Sequence, residues 1–264
     1  MQIGFTHKKC GSFEYLVSPL FEEAGVKHCF TTRLGGVSAE AHLSSMNIGN
    51  TRGDKEEFVR ENVRIMCKAL SFTEENLSRT NQVHDNKVAV IKEATEVSLG
   101  CDGIITDTPG IPLISTSADC VPVLLYDKKK KVAASVHSGW KSTVKKICRE
   151  AIIAMKENFD SNPSDIIAAI GPSIGKCCFQ VKEDVCEAFS KTFSDLDFIE
   201  EEGDGIHYRA DLWEAVRRTL TESGIKDENI SLAGECTVCN NHLYFSSRAQ
   251  GGKFGSLGAV IEIG

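Results

Sequence analysis

Two residues of metal-binding type, a cysteine and a histidine, flank a predicted β-hairpin. Cys120 begins an apolar run that continues through Tyr126, and a second apolar run from Val132 ends at His137. A charged turn, 127–131, separates the runs, a pattern typical of a hairpin. If Tyr126 lies opposite Val132, Cys120 faces position 138 and His137 faces position 121, within one residue of register. We therefore expect Cys120 and His137 at the same end of the hairpin.

His84 holds a comparable position, because it comes shortly before the predicted strand 88–91. Two imidazoles and one thiolate would form a three-ligand zinc site whose fourth tetrahedral position is open to water or substrate. That composition suits catalysis better than scaffolding. Spacing alone leaves open the alternative that His84, Cys120 and His137 are ordinary buried side chains.

Two positions near these residues could hold an anion. After His137 the chain turns through Ser138-Gly139-Trp140 into a predicted helix, and the free N–H groups at a helix N-terminus favour a phosphate. Arg33 follows the predicted strand 26–32 and precedes a glycine pair, so it is a candidate for binding an anion or an ordinary surface arginine.

Two other motifs suggest different chemistry. The segment 171–175 fits G-x-S-x-G, but Pro172 adjoins the serine and no helix pattern follows, which disfavours a nucleophile elbow. Cys236 and Cys239 form a C-x-x-C without a matching second pair in the sequence, so we interpret them as incidental or as the edge of a pocket.

The composition is that of a folded globular protein. Of the 264 residues, 41% are hydrophobic and 25% charged, and the net charge of −7 disfavours nucleic acid as a partner. The sequence contains neither an export signal nor an apolar run long enough to span a membrane. The eleven cysteines are scattered and odd in number, so we expect reduced thiols and a cytoplasmic protein.

Helical and strand patterns alternate along the chain, which predicts a mixed α/β fold. The predicted helices are 54–70, 143–159, 183–193 and 210–223, and the further predicted strands are 103–106, 112–116, 166–170, 231–235 and 256–263. We interpret the acidic stretch 200–205 as a solvated loop and lysines 128–131 as a solvated turn. Because repeats and linkers are absent from the sequence, we predict one domain, 1–264.

An ordered set of motifs resembles the YfiH-like laccase-domain family, also called polyphenol oxidases. The resemblance runs from about residue 26 to the C-terminus. Its motifs are Thr32-Arg33-Leu34-Gly35-Gly36-Val37-Ser38, Asn47-Ile48-Gly49, Asn81-Gln82-Val83-His84, Ala118-Asp119-Cys120-Val121-Pro122-Val123-Leu124, His137-Ser138-Gly139-Trp140 and Ile170-Gly171-Pro172-Ser173-Ile174-Gly175.

This resemblance implies a zinc site at His84, Cys120 and His137, with copper as a substitute metal. It also implies a layered α/β/β/α fold similar to the catalytic domain of cytotoxic necrotizing factor toxins. The implied activity is phosphorolysis of adenosine, inosine and methylthioadenosine, with adenosine deamination. Some bacterial members are linked instead to editing of peptidoglycan precursors.

Residues beside these motifs are candidates for handling purine nucleosides and phosphate. We expect Arg33, Asn47 and Lys141 to bind substrate and Asp119 or Asp85 to supply a proton. Asp85 stands where the family commonly has glycine, and Lys141 where it often has arginine. Lysine keeps the positive charge but loses the bidentate geometry of a guanidinium.

There are three alternatives to this function. A multicopper oxidase is disfavoured, because the seven histidines include no His-x-His pair. A metal-free cysteine hydrolase or deamidase would use Cys120 as nucleophile and His137 as base. A non-catalytic binding protein would need neither metal nor turnover.

Overall fold

The computed structural model describes residues 1–50, 52–94, 96–97 and 100–264. In these ranges the helices are α1 Pro19–Glu23, α2 Glu56–Leu70, α3 Trp140–Val144, α4 Ile147–Phe159, α5 Glu183–Ser190, α6 Leu212–Glu222 and α7 Ser247–Gln250. The strands are β1 Gln2–Ile3, β2 Thr6–Cys10, β3 Phe13–Val17, β4 Lys27–Thr31, β5 Ser78–Thr80, β6 Val88–Val90, β7 Glu96–Val97, β8 Gly103–Thr106, β9 Leu113–Ser117, β10 Val121–Asp127, β11 Val132–Ser138, β12 Ile166–Ile170, β13 Gln180–Val181, β14 Ile199–Glu201, β15 Tyr208–Ala210, β16 Ile230–Leu232 and β17 Leu257–Glu262.

Two large mixed sheets carry most of these strands. Within the described residues, one sheet has the order β1-β16-β12-β10-β11-β8-β6 and the other β2-β3-β4-β17-β9-β5-β7. A smaller sheet has the order β13-β15-β14. We refer to the first as the hairpin sheet and to the second as the terminal sheet.

The buried hydrophobic residues that the structure describes form three clusters, each between two neighbouring layers of helices or strands. Both faces of a sheet can contribute to such clusters because successive strand residues point to opposite faces. On β10, Val123 and Leu125 pack with α4 and α6, whereas Leu124 and Tyr126 face the terminal sheet. A third cluster joins α2 to the outer face of the terminal sheet. Because both faces of the hairpin sheet are buried, its strands read as continuous apolar runs. The result is the predicted α/β/β/α layering, while the likeness to necrotizing factor toxins stays a prediction.

The hairpin forms as expected but with its register shifted by one residue. Tyr126 pairs with Ala133 rather than with Val132, and Val121 pairs with Ser138. The turn therefore consists of the four lysines 128–131, and Asp127 accepts hydrogen bonds from the backbone N–H groups of Lys129 and Lys130. The shift leaves Cys120 and His137 at the same end, as predicted.

Two other predictions need correction. The predicted helix 143–159 is two helices, because Lys146 adopts a left-handed backbone (φ 53°) between α3 and α4. The acidic stretch 200–205 is not wholly a loop, since its first two residues end β14. The N-terminal segment, on which the sequence analysis made no prediction, contributes β1, β2, β3 and α1.

The four strands that matter for the site lie side by side in the hairpin sheet, in the order β10-β11-β8-β6. β10 and β11 are antiparallel, β11 and β8 are antiparallel, and β8 and β6 are parallel. The start of β10, the end of β11 and the starts of β8 and β6 therefore meet at one end of the sheet. In the described part of the chain, no helix is long and apolar enough to cross a membrane.

Candidate active site

The predicted cysteine and histidines converge at this end of the hairpin sheet. Cys120 directly precedes β10, His137 lies near the end of β11, and His84 lies in the loop between β5 and β6. Their ligand atoms lie within 4.8 Å of one another. The two imidazole rings meet edge to face, with centroids 4.8 Å apart. His137 is buried, Cys120 is half-buried and His84 is exposed, so the group is open on the side of His84.

Asp102 organises both histidines. Its carboxylate accepts a hydrogen bond from His137 Nδ1 at 2.7 Å and others from the backbone N–H groups of Val83, His84 and Asp85. Three successive N–H groups on one carboxylate fix the loop that carries His84, whose own backbone is left-handed (φ 58°). Because Nδ1 of His137 is engaged, its Nε2 is the nitrogen left to bind a metal or a substrate.

The charged and titratable side chains of this site shift one another's pKa values. Burial disfavours a charged ring at His137, but the Cys120 sulfur and the Asp102 carboxylate outweigh burial and raise the pKa of His137 to about 9. Burial lowers the pKa of His84, and the neighbouring His137 lowers it further. Burial also disfavours the Asp102 carboxylate, yet the hydrogen bonds from His137 and from backbone N–H groups lower its pKa overall.

Gly139 leaves the space that a bound ion would need. A Cβ atom at this position would lie 2.7 Å from His84 Nδ1 and 3.0 Å from Cys120 Sγ. The backbone of Gly139 (φ −70°, ψ 166°) is one that any residue adopts, so the constraint is steric. Two imidazole nitrogens and one sulfur around a small open space fit the donor set of a catalytic transition-metal site.

The group forms part of the wall of a cavity of about 780 Å³. Three arginines also line this cavity, Arg52, Arg79 and Arg248, together with the apolar side chains of Ile174, Phe179 and Phe254. Arg52 lies over the ring of Phe254, with Cζ 4.2 Å from the ring centroid, and burial lowers its pKa. A cavity with guanidinium groups and apolar faces can bind a ligand that joins an anionic group to a flat ring.

The other predicted site residues take up different positions. Asp119 lines the cavity, but its carboxylate accepts hydrogen bonds from Thr237 Oγ1 and from the backbone N–H of Arg248. The Asp85 carboxylate accepts from Lys145 Nζ at 2.7 Å. Lys141 Nζ lies over the ring of Trp140, at 5.5 Å from its centroid.

Arg33 and Asn47 do not line the cavity. The Arg33 guanidinium donates to the carbonyls of Ala41, Ser44 and Asn241. The buried Asn47 amide donates to Gly49 and Asp54 and accepts from the backbone of Gly49 and Ser256. Both side chains thus hold loops in place, and their contact with substrate stays a prediction.

The phosphate position expected after the hairpin stays a prediction. Helix α3, which begins there, has five residues. The arginines of the cavity are the better anion-binding groups. Ser173 of the G-x-S-x-G segment is buried and accepts a hydrogen bond from Trp213 Nε1, in agreement with the rejection of a nucleophile elbow.

Asp102 and the cavity arginines were absent from the sequence-based predictions. Asp102 carried a usable signal, since it directly precedes a predicted strand and could meet the end of the hairpin. Arg52, Arg79 and Arg248 are isolated in the sequence and come together from the loop before α2, from β5 and from α7. Sequence spacing gave no sign of their convergence.

The sequence of this chain is similar to that of a known protein family. Residues 27–264 match the model of the multi-copper polyphenol oxidoreductase laccase family. The chain belongs to this family. The family resemblance predicted from the ordered motifs is thereby confirmed.

Relatives in the family carry a different activity in their names. A purine nucleoside phosphorylase of Bacteroides thetaiotaomicron is 36% identical over 251 residues, which cover 91% of this chain and 92% of the relative. The purine nucleoside phosphorylase YlmD of Bacillus subtilis is 34% identical, over 88% of this chain and 86% of the relative. The crystal structure of YlmD from Geobacillus stearothermophilus superposes with a TM-score of 0.90 at 28% identity, covering 98% of both chains.

Proposed function

We propose that this protein is a zinc-dependent purine nucleoside phosphorylase that acts on adenosine, inosine and methylthioadenosine and also deaminates adenosine. The observation that carries the proposal is the open His84-Cys120-His137 group in a cavity that arginines also line. The names of the relatives support the same activity. Eleven free cysteines favour a cytoplasmic location.

Two kinds of side chain in the cavity suit the two parts of the substrates. Guanidinium groups of Arg52 and Arg79 would bind phosphate through charge-assisted hydrogen bonds, whereas that of Arg248 donates to the carbonyls of Cys178 and Gln180. Ile174 and Phe179 offer an apolar surface to a purine ring. In phosphorolysis, a phosphate oxygen forms a bond to the anomeric carbon of the ribose while the bond to the purine nitrogen breaks, and the leaving purine takes up a proton.

His84, Cys120 and His137 would hold the zinc ion, and Asp102 would orient His137 and the loop of His84. Bound zinc supplies a Lewis acid that polarises an oxygen in the cavity. We assign Asp119 to positioning rather than to proton transfer, because its carboxylate already accepts two hydrogen bonds.

Elemental analysis and an activity assay test the proposal together. We expect inosine turnover that requires phosphate and ammonia release from adenosine that does not. His84→Ala should lose one equivalent of zinc relative to the unmodified protein, together with both activities. His242→Ala, a change at an exposed histidine outside the cavity, serves as the matched control and should keep both.

A metal-free cysteine hydrolase is the second candidate, favoured by one feature of the geometry. The Cys120 sulfur and a ring nitrogen of His137 lie within 4.8 Å of each other, and His137 is hydrogen-bonded to Asp102, which is the order of a nucleophile, a base and an orienting carboxylate. Full activity after complete removal of metal would support this candidate and contradict the phosphorylase mechanism. Inactivity of metal-free protein that zinc restores would exclude it.

A further inference from the structure

Four cysteines far apart in the sequence meet in two facing turns. Cys177 and Cys178 lie in the turn after the segment 171–175, and Cys236 and Cys239 lie in the turn after β16. Their sulfur atoms all lie within 4.8 Å of one another. Cys239 Sγ is 3.6 Å from Cys177 Sγ and 3.5 Å from Cys178 Sγ, and all four cysteines are free. The partner pair that the C-x-x-C lacked in the sequence is therefore supplied by the fold.

The spacing of these sulfurs suits one metal ion. Four thiolates at about 2.3 Å from a tetrahedral zinc ion lie about 3.8 Å from one another. The separations of Cys239 Sγ from Cys177 Sγ and Cys178 Sγ approach this value. In an iron–sulfur cluster the ligand sulfurs would be farther apart, because several irons and sulfides stand between them.

Hydrogen-bond donors lie around the four cysteines. The backbone N–H of Gly175 donates to Cys236 Sγ at 3.3 Å. Two guanidinium groups lie beside the turn of Cys177 and Cys178, since Arg209 donates to the Cys177 carbonyl and Arg248 to the Cys178 carbonyl. Because Arg209 is also paired with Glu202, the Arg248 guanidinium is the positive group that would offset the net negative charge of four thiolates around a divalent ion.

We propose that Cys177, Cys178, Cys236 and Cys239 bind a second zinc ion in a closed structural site. Four protein ligands leave no position for substrate, in contrast to the three at the cavity. Binding releases the protons of those cysteines that are thiols in the free protein, and no oxidation or reduction takes place.

This ion would fix one wall of the cavity. Ile174 and Phe179, on either side of Cys177 and Cys178, line the cavity. Thr237, between Cys236 and Cys239, donates to the Asp119 carboxylate next to Cys120. Tying the two turns together therefore holds residues that contact the substrate-binding space, without placing the ion in it.

Cobalt substitution isolates the second site. In His84→Ala protein, stripped of metal and kept reduced, we expect one equivalent of Co²⁺ to produce the intense near-ultraviolet absorption of cobalt bound to several thiolates. Adding Cys177→Ser and Cys239→Ser should abolish this absorption. Changing Cys10 and Cys186 to serine instead is the matched control, because neither belongs to the cluster, and should leave it unchanged. Absence of the band in His84→Ala protein, or its survival in the cluster variant, would overturn the proposal.

A measurement on the unmodified protein covers the case in which the cluster variant fails to fold. Native mass spectrometry of protein purified with a reductant should give a mass that includes two zinc ions. A single zinc ion that His84→Ala removes, or a disulfide within the cluster under these conditions, would contradict a second site. Because the readouts are metal content and absorption, failure of the proposed phosphorylase activity would not affect the result.

Discussion

At the scale of single residues, Asp102 is the group on which the geometry of the site depends. Its two carboxylate oxygens accept four hydrogen bonds, one from His137 and three from the loop of His84. A carboxylate can do so because both oxygens are acceptors, whereas an amide has one acceptor and one donor group.

Asp102→Asn should therefore weaken zinc binding at the cavity and reduce activity, although the side-chain shape is kept. Loss of such a supporting partner typically lowers metal affinity roughly 10- to 100-fold. Zinc titration against a competing chelator measures the change, with circular dichroism to check the fold. Asp85→Asn, which removes a carboxylate paired with Lys145 at the surface, should leave the affinity unchanged. Equal zinc affinities for Asp102→Asn and the unmodified protein would contradict the role of Asp102.

Arg52→Gln should raise the KM for phosphate and leave the KM for the nucleoside nearly unchanged. A charge-assisted hydrogen bond contributes about 1.5–3 kcal/mol, which corresponds to a rise of roughly 10- to 100-fold. Adenosine deamination needs no phosphate and should keep its rate, so the two assays on one variant separate phosphate binding from damage to the site. Arg60→Gln, at an exposed helix position, is the control. A matching loss of deamination would refute the assignment of Arg52 to phosphate.

At the scale of elements, the sequence predicted best the bounds of strands that are buried on both faces and of helices with a strongly periodic apolar pattern. The hairpin β10–β11, helix α2 and strand β12 were predicted close to their observed bounds, because continuous apolar runs and an amphipathic helix leave clear patterns. The hairpin register was off by one residue, since the turn could not be placed within a run of four lysines. The convergence of Cys120 and His137 survived this error, whereas His84 needed the order β10-β11-β8-β6, which local patterns do not encode.

Strand β4 contains a buried histidine that makes folding sensitive to acid. His28 Nδ1 donates to the Val26 carbonyl, and Nε2 accepts from the backbone N–H of Ser18, so both nitrogens are engaged in the neutral form. Burial lowers the pKa of His28 to about 4, from an ordinary value of about 6.5. The unfolded chain thus binds a proton more readily than the folded one.

The free energy of unfolding should accordingly contain a His28 contribution that is complete above about pH 6.5 and is lost as the pH falls towards 4. The shift corresponds to about 3 kcal/mol. Denaturant titrations of His28→Gln and unmodified protein between these pH values measure the difference, because glutamine does not titrate. The variant should show a shallower loss of stability with falling pH. Parallel pH dependences would show that His28 is not the group responsible.

At the scale of the whole molecule, the two large sheets share one continuous core. Phe30, Leu113 and Ile261 of the terminal sheet pack in the same cluster as Ile104, Leu124 and Ile167 of the hairpin sheet. β4, from the first part of the chain, lies beside the last strand, β17. We propose on this basis that residues 1–264 form a single domain.

A single domain should unfold in one cooperative transition. Calorimetry on zinc-loaded protein should give equal calorimetric and van't Hoff enthalpies, because neither sheet can lose its partner without exposing the shared core. Removing the metal should lower the melting temperature without splitting the transition. Two separate transitions would contradict the single domain.

The four-cysteine cluster changes how copper in this family member should be interpreted. Four sulfur donors form a softer ligand set than two imidazoles and one sulfur, and soft sites take up Cu(I) preferentially. Copper supplied during expression or purification would therefore collect first at the cluster. If such material shows an oxidation that depends on copper, the activity should be attributed to the four-cysteine cluster unless the variant with Cys177→Ser and Cys239→Ser shows it as well.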